Sequence, residues 1–239
     1  RGEELHRVSH AYGTNGIITE IEMPLAPAYD WVELFVTLPD FPAAVAYAAD
    51  VGNADGIVKK LTSVFEAPIG QAYFQRVASH LEGGEHIVGL MIAPQSMDGF
   101  LTLTARHAQA KVLYRSDTTH WAKEPGPVFE YGWNHTTLRA LKVDPSITYL
   151  QVRYDADHYA EEIEAVRAAF PGELMQHLEV MRENGRVIFA GLTMVKFTTE
   201  DRLEDIIKLH EAMGAMIFNP HRYTLEEGGR QSADQRQLD

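Results

Sequence analysis

Apolar and polar residues alternate from Asp30 to Leu38 (DWVELFVTL), a stretch rich in β-branched and aromatic side chains, and this period of two predicts a strand. The following PDFPAAVAYAADVGNADG has helical spacing and predicts a helix that ends at Gly52. The same grammar continues through the first half. A strand is expected over Ile57 to Phe65, a helix over Ile69 to His80 closed by Gly83 and Gly84, and a strand over His86 to Ala93. Ser96 with Asp98 then opens a helix running to about Ala108, and Lys111 to Arg115 returns as a strand.

After a connector from Asp117 to Pro145 the pattern restarts with a strand at Ile147 to Tyr154, a helix at Ala156 to Phe170 and a strand at Leu174 to Arg182. Asn184-Gly185 is the most specific turn signal in the chain, because a type I′ hairpin needs positive φ at both central residues. Arg186 to Phe197 is therefore expected to pair back against Leu174 to Arg182. A helix at Glu200 to Met213, stopped by Gly214, and a strand at Ala215 to Asn219 complete a β-α-β-β-α-β order, the ferredoxin-like arrangement. The first half approximates that order without repeating the sequence. The expected fold class is α+β: two ferredoxin-like units, at residues 29–116 and 147–219, whose sheets join into one extended antiparallel sheet with helices on one face.

Composition narrows the function classes. The 239 residues are 45% hydrophobic, enough for a normal buried core. Zero cysteines exclude a disulfide, a thiolate nucleophile and any Cys-ligated metal or iron–sulfur site, and fit a cytoplasmic protein. The net charge is -13 and the basic residues are scattered, so nucleic acid is not an expected partner. No apolar run approaches the roughly 18 to 20 residues needed for a membrane span. The chain opens on Arg1 and RGEELHRV lacks a signal-peptide core, so the natural start is expected upstream. The polar stretch from Glu226 (EEGGRQSADQRQLD) reads as a tail cut before its next element.

The connector (DTTHWAKEPGPVFEYGWNHTTLRALKVDP) is longer than compact domains usually tolerate without a purpose, and too aromatic for disorder, so it is expected to fold over something. Tyr131 and Trp133 are candidates to line a water-excluding pocket, with packing as their alternative role. His135 sits where Asn134 or Thr136 would cap a helix containing Leu138 and Leu141.

From Ser9 to Pro27 a glycine-punctuated turn precedes an alternating strand, and Gly13 and Gly16 would let backbone approach a ligand closely. Gly13-Thr14-Asn15-Gly16-Ile17-Ile18-Thr19-Glu20 resembles the Gly-x-x-Gly-Ile-Ile-Thr-Glu segment that ends the FAD-binding domain of FAD-linked oxidases of the vanillyl-alcohol-oxidase, or PCMH-type, superfamily. NHTTLRALKVDPSITYLQ and NPHRYTLEEGG also look like pieces of that family's cap domain. The resemblance implies that residues 1–28 end an FAD-binding domain lying upstream. It implies that 29–225, with connector 117–146, form a substrate-binding cap, and that 226–239 are a truncated tail. It further implies FAD as cofactor of the complete protein, not retained by this portion alone, with the backbone at Gly13, Gly16, Ile17 and Ile18 in contact with it. The implied activity is oxidation of a small hydroxylated or phenolic substrate by hydride transfer to flavin.

Such an oxidation needs a base near the flavin to take the hydroxyl proton. Among 11 histidines, His221 stands out because it follows Pro220 directly after a predicted sheet strand, and His135 is the second candidate. Arg222 and Tyr223 offer a planar donor fork and a hydroxyl to a substrate carboxylate. The His-x-x-x-Gly-x-x-His metal cluster of some relatives is missing, and His6 and His10 read as a solvated pair, so no metal is expected. Glu161, Glu162 and Glu164, and Glu200, Asp201, Glu204 and Asp205, read as solvated helix faces and first turns. The alternative function is a non-enzymatic module, since paired ferredoxin-like units also bind small molecules or form homodimers edge to edge, and fold alone assigns no activity.

Overall fold

The computed structural model describes residues 15–221 together with Leu5, Val8 and Gly13. The chain divides into a compact unit Tyr29–Ile217 and a second unit, Arg1–Ala28 with Phe218–Asp239. The strands are β1 (Val32–Leu38), β2 (Lys59–Phe65), β3 (His86–Ile92), β4 (Lys111–Arg115), β5 (Ile147–Tyr154), β6 (Leu174–Met175), β7 (His177–Glu183), β8 (Arg186–Lys196) and β9 (Met216–Phe218). The helices are α1 (Phe41–Asn53), α2 (Ile69–Tyr73), α3 (Gln75–Ala78), α4 (Met97–Thr104), α5 (Asn134–Leu141), α6 (Tyr159–Ala169) and α7 (Glu200–Ala212).

All nine strands lie in one antiparallel sheet of order β4-β1-β3-β2-β7-β8-β5-β9, with β6 pairing onto β8. Read from each edge inward, β4-β1-β3-β2 and β9-β5-β8-β7 are the same ferredoxin-like permutation. The two halves meet where the second strands of each, β2 and β7, pair through three rungs, Ser63↔Glu179, Val64↔Leu178 and Phe65↔His177.

Alternation along the strands sorts side chains onto two faces. Leu34, Val36 and Leu38 of β1, with Leu150, Val152 and Tyr154 of β5, pack beneath α1, α4, α6 and α7 in one large core. α1 starts where Asp40 accepts from Ala43 N, and α7 where Thr199 accepts from Arg202 N, each satisfying a donor the helix leaves open. The β7–β8 hairpin turns at Asn184 (φ 50°) and Gly185 (φ 80°), the conformation its sequence predicts. A second core, with Phe35, Phe65, Phe74, Val128, Tyr131 and Met194, lies on the opposite face beneath α2, α3, α5 and the connector. The four crossover helices thus share one face as expected, and three short helices from the loops lie on the other.

Three local expectations are revised. The helix expected over Ile69 to His80 is broken into α2 and α3 at Phe74 (φ -98°, ψ 66°). That kink carries the Phe74 ring fully into the second core, against Phe65 and Tyr131. Burying a phenylalanine stabilises by about 1.5–3 kcal/mol, more than the roughly 0.5–1.5 kcal/mol of a helical hydrogen bond. The strand expected from Leu174 to Arg182 is interrupted at Gln176, whose backbone N–H and C=O turn to Glu66 Oε2 and Glu66 N. The alternating stretch after Gly16 forms no strand: residues 16–31 carry no ladder among the described residues. A strand needs a neighbour for its N–H and C=O groups. Here Ile17, Ile18, Ile21, Met23 and Leu25 stay exposed, Ile17 at 91% and Leu25 at 93%.

Candidate functional site

Polar chemistry concentrates at the three-rung join. Glu179 of β7 accepts from Ser63 Oγ of β2 at 2.5 Å, from the Trp133 backbone N–H at 2.7 Å and from His177 Nε2 at 2.8 Å. The His177 and Glu179 side chains are 0% and 2% exposed. Thr136 Oγ1 donates to the Tyr131 carbonyl and stands 3.4 Å from His177 Nε2, and Phe65 stacks on the imidazole at 4.9 Å. An isolated buried carboxylate costs several kcal/mol, and three convergent donors are what offset that penalty. His177 Nδ1, the other ring nitrogen, finds no hydrogen-bond partner among the described residues. Full burial keeps solvent and substrate from that nitrogen, so the pair positions its surroundings.

What it positions is the connector. Trp133 has φ 50° and ψ -141°, an uncommon conformation for a bulky residue that costs on the order of 1–3 kcal/mol. Its N–H is held there by the Glu179 carboxylate, and its indole is left 45% exposed. The preceding residue must be glycine, because a Cβ at Gly132 would lie 2.9 Å from Glu179 Oε1 and 3.0 Å from Ser63 Oγ. Trp133 also takes the N-cap position of α5 with no side-chain cap, in place of the Asn134 or Thr136 cap expected from the sequence.

Directly beyond the Ser63–Glu179 rung, β2 and β7 diverge and leave an open groove of about 320 Å³. Lys59, Lys60 and Thr62 line one wall, Met181 and Arg182 the other, and Asp55 the rim.

On the helix face, Glu66 accepts from Arg167 Nε at 2.7 Å, and Thr193 and Tyr154 bond to the Gln176 side chain. Burial pushes the Glu66 carboxyl up, and the Gln176 and Arg167 donors oppose that shift. His86 accepts from Ala67 N through Nδ1 at 3.0 Å, and burial followed by the Arg167 charge lowers its pKa to about 4. These contacts tie α6 and the β6–β7 break to the sheet.

Of the residues singled out from sequence, Trp133 is in this constellation. His135 is exposed in the first turn of α5, its N–H donating to Gly132 O. Tyr131 is fully buried: its hydroxyl donates to Pro125 O at 2.6 Å, its ring meets Phe35 and Phe74 edge to face, and the Arg139 guanidinium lies 4.0 Å from the ring centre. Packing, the alternative weighed for it, accounts for all of these contacts. Gly13 and Gly16 have φ 77° and 139°, with nothing within 4 Å of a built Cβ, and Ile18 is 58% exposed. His221 is exposed, its N–H donating to Asn219 Oδ1 at 3.0 Å. Arg222, Tyr223, His6 and His10 lie outside the described residues. Sequence reading missed Ser63, His177 and Glu179. The one available signal was the i, i+2 placement of His177 and Glu179, which sets both on one strand face.

No family model and no curated protein sequence matches the chain. Among solved structures, alkyldihydroxyacetonephosphate synthase matches in two crystal forms, each with a TM-score of 0.52. The identities are 11% and 10%, over 80% of this chain and 40% and 41% of those chains. At that identity the likeness is one of fold, and the chain spans about two fifths of the length of the structures it matches. What is shared is an α+β architecture, here a nine-stranded antiparallel sheet with helices. Among the described residues no helix is long and apolar enough to cross a membrane.

Proposed function

We propose that the chain is the substrate-binding cap of an FAD-dependent oxidoreductase acting on a small hydroxylated or phenolic substrate. The observation that carries this reading is the segment after Gly16. It alternates like a strand, has no ladder among the described residues, and exposes Ile17, Ile18, Ile21, Met23 and Leu25 in a run of nine residues. Contiguous exposed apolar surface of this kind marks an interaction site. A nucleotide-binding domain with a free sheet edge would supply both a ladder partner and the apolar cover. The sequence resemblance at Gly13 to Glu20 and the likeness of the cap fold support the same partner independently.

The residues present fit FAD at this segment. Open space around Gly13 and Gly16 leaves the backbone free to approach a ligand, and Ile17 and Ile18 offer exposed apolar contact. FAD, if bound there, would supply a hydride acceptor. His221 takes the substrate hydroxyl proton on its imidazole, with Arg222 and Tyr223 orienting a substrate carboxylate or hydroxyl. Within the unit Tyr29–Ile217, Trp133, whose backbone N–H is held by Glu179, offers an exposed aromatic contact, and His135 is a separate candidate proton acceptor.

The test is made on the protein expressed with its upstream region. His221→Ala is expected to slow substrate-driven flavin reduction by at least about 100-fold, the lower range for loss of a general base. Unchanged kinetics remove His221 from the role. A longer protein that neither contains FAD nor binds it removes the whole reading.

A further inference from the structure

We propose that the groove where β2 and β7 part binds a small oxyanion, a carboxylate or a phosphate ester, between Lys59 and Arg182. In a chain of net charge -13, this groove sets Lys59 and Arg182 against one lining carboxylate, Asp55, which sits 80% exposed at the rim, while the Lys60 ammonium turns away to the Phe129 ring. The cations are fixed in place. Lys59 Nζ donates to Ala54 O at 2.8 Å and Ile57 O at 3.1 Å, just past the end of α1, which uses two of its three protons. Arg182 donates to Gly52 O at 3.1 Å and pairs with Asp55 at 2.6 Å, which leaves part of its five-donor fork for a ligand.

The two positive charges also feel each other. Burial lowers the Lys59 pKa, the Arg182 charge lowers it further, and Asp55 only partly compensates. An anion seated between them relieves that repulsion and replaces the exposed Asp55 as the partner of Arg182. Preorganised donors of this kind recognise oxyanions by charge-assisted hydrogen bonds. The site lies wholly within residues 29–217 and does not depend on the flavin reading.

The 239-residue chain is titrated with inorganic phosphate and, separately, with malonate, at constant ionic strength balanced by chloride, with binding read from backbone amide chemical shifts. Saturable shifts at residues 52–62 and 180–182 are expected. Stronger binding of phosphate assigns a phosphate ester, and stronger binding of malonate a carboxylate. Lys59→Met is expected to weaken the better anion at least about tenfold, the loss of one charge-assisted bond. Lys111→Met, on the far edge strand β4, should leave it unchanged. Asp55→Asn removes the internal competitor and should tighten binding, which keeps the test decisive if Lys59→Met folds poorly. Shifts that chloride reproduces, or an Asp55→Asn protein that binds no more tightly, overturn the proposal.

Discussion

Replacing Glu179 by alanine removes the acceptor shared by Ser63 Oγ, the Trp133 N–H and His177 Nε2. The serine hydroxyl can rotate toward another acceptor, but the backbone donor and the imidazole donor are left in a dry site. Each such orphan costs about 1–3 kcal/mol. Two effects work in the other direction: the desolvation penalty of the carboxylate disappears, and the strained turn at Trp133 is free to relax, which returns on the order of 1 kcal/mol. The net expectation is a loss of about 3 kcal/mol, a large share of the 5–15 kcal/mol typical of a domain. Glu179→Gln keeps an oxygen for Trp133 and His177 and turns its amide protons to Ser63 Oγ, so its cost should be about 1 kcal/mol. Both are read by urea unfolding near neutral pH as midpoint shifts at constant slope. An alanine variant within about 1 kcal/mol of the parent, or a glutamine variant as costly as alanine, would show that the carboxylate does not hold the connector.

The same constellation predicts that Gly132→Ala costs about 2 kcal/mol, because the new methyl meets two fixed core atoms at 2.9 and 3.0 Å; an unfolding midpoint equal to the parent's contradicts the close approach. For pH, His86 is the clearest group. Its folded pKa, about 4, lies below the ordinary 6.5, so the unfolded chain binds the proton first as pH falls. Its contribution is complete above about pH 6.5, drains away toward pH 4, and amounts to about 2 kcal/mol after allowance for partial solvent screening. His86→Asn, which retains an acceptor for Ala67 N, should flatten the pH 4–7 stability profile by that amount; a parallel profile refutes the assignment.

How much of this was legible in the sequence depends on the range of the interactions. The strands of both halves and the Asn184-Gly185 hairpin are encoded by alternation and turn chemistry within a few residues, and the chain displays them directly. The joining of two ferredoxin-like units into one antiparallel sheet followed from the same element grammar appearing twice, whereas the β2–β7 junction is visible only in three dimensions. The breaks at Phe74 and Gln176 were not legible, because each is made by a partner far along the chain: Tyr131 for the first, Glu66 for the second. The Ser63–Glu179 pair spans 116 positions, and a further donor comes from the connector, so nothing local in the sequence marks these polar residues as roofed over. Trp133 was singled out for its composition, whereas its strained backbone is visible only in three dimensions.

If this sheet is the lid of a flavin-carrying domain, as proposed, the complete protein carries the cofactor. The most direct test is the cofactor content of the complete gene product beside that of the 239-residue chain. One FAD per longer protein is expected, seen as a yellow visible band, with little or none on the shorter chain and loss of the cofactor from the longer protein when Ile17 and Ile18 are both changed to aspartate. A complete product that is colourless, does not take up added FAD, and has no nucleotide-binding region ahead of Arg1 would contradict it.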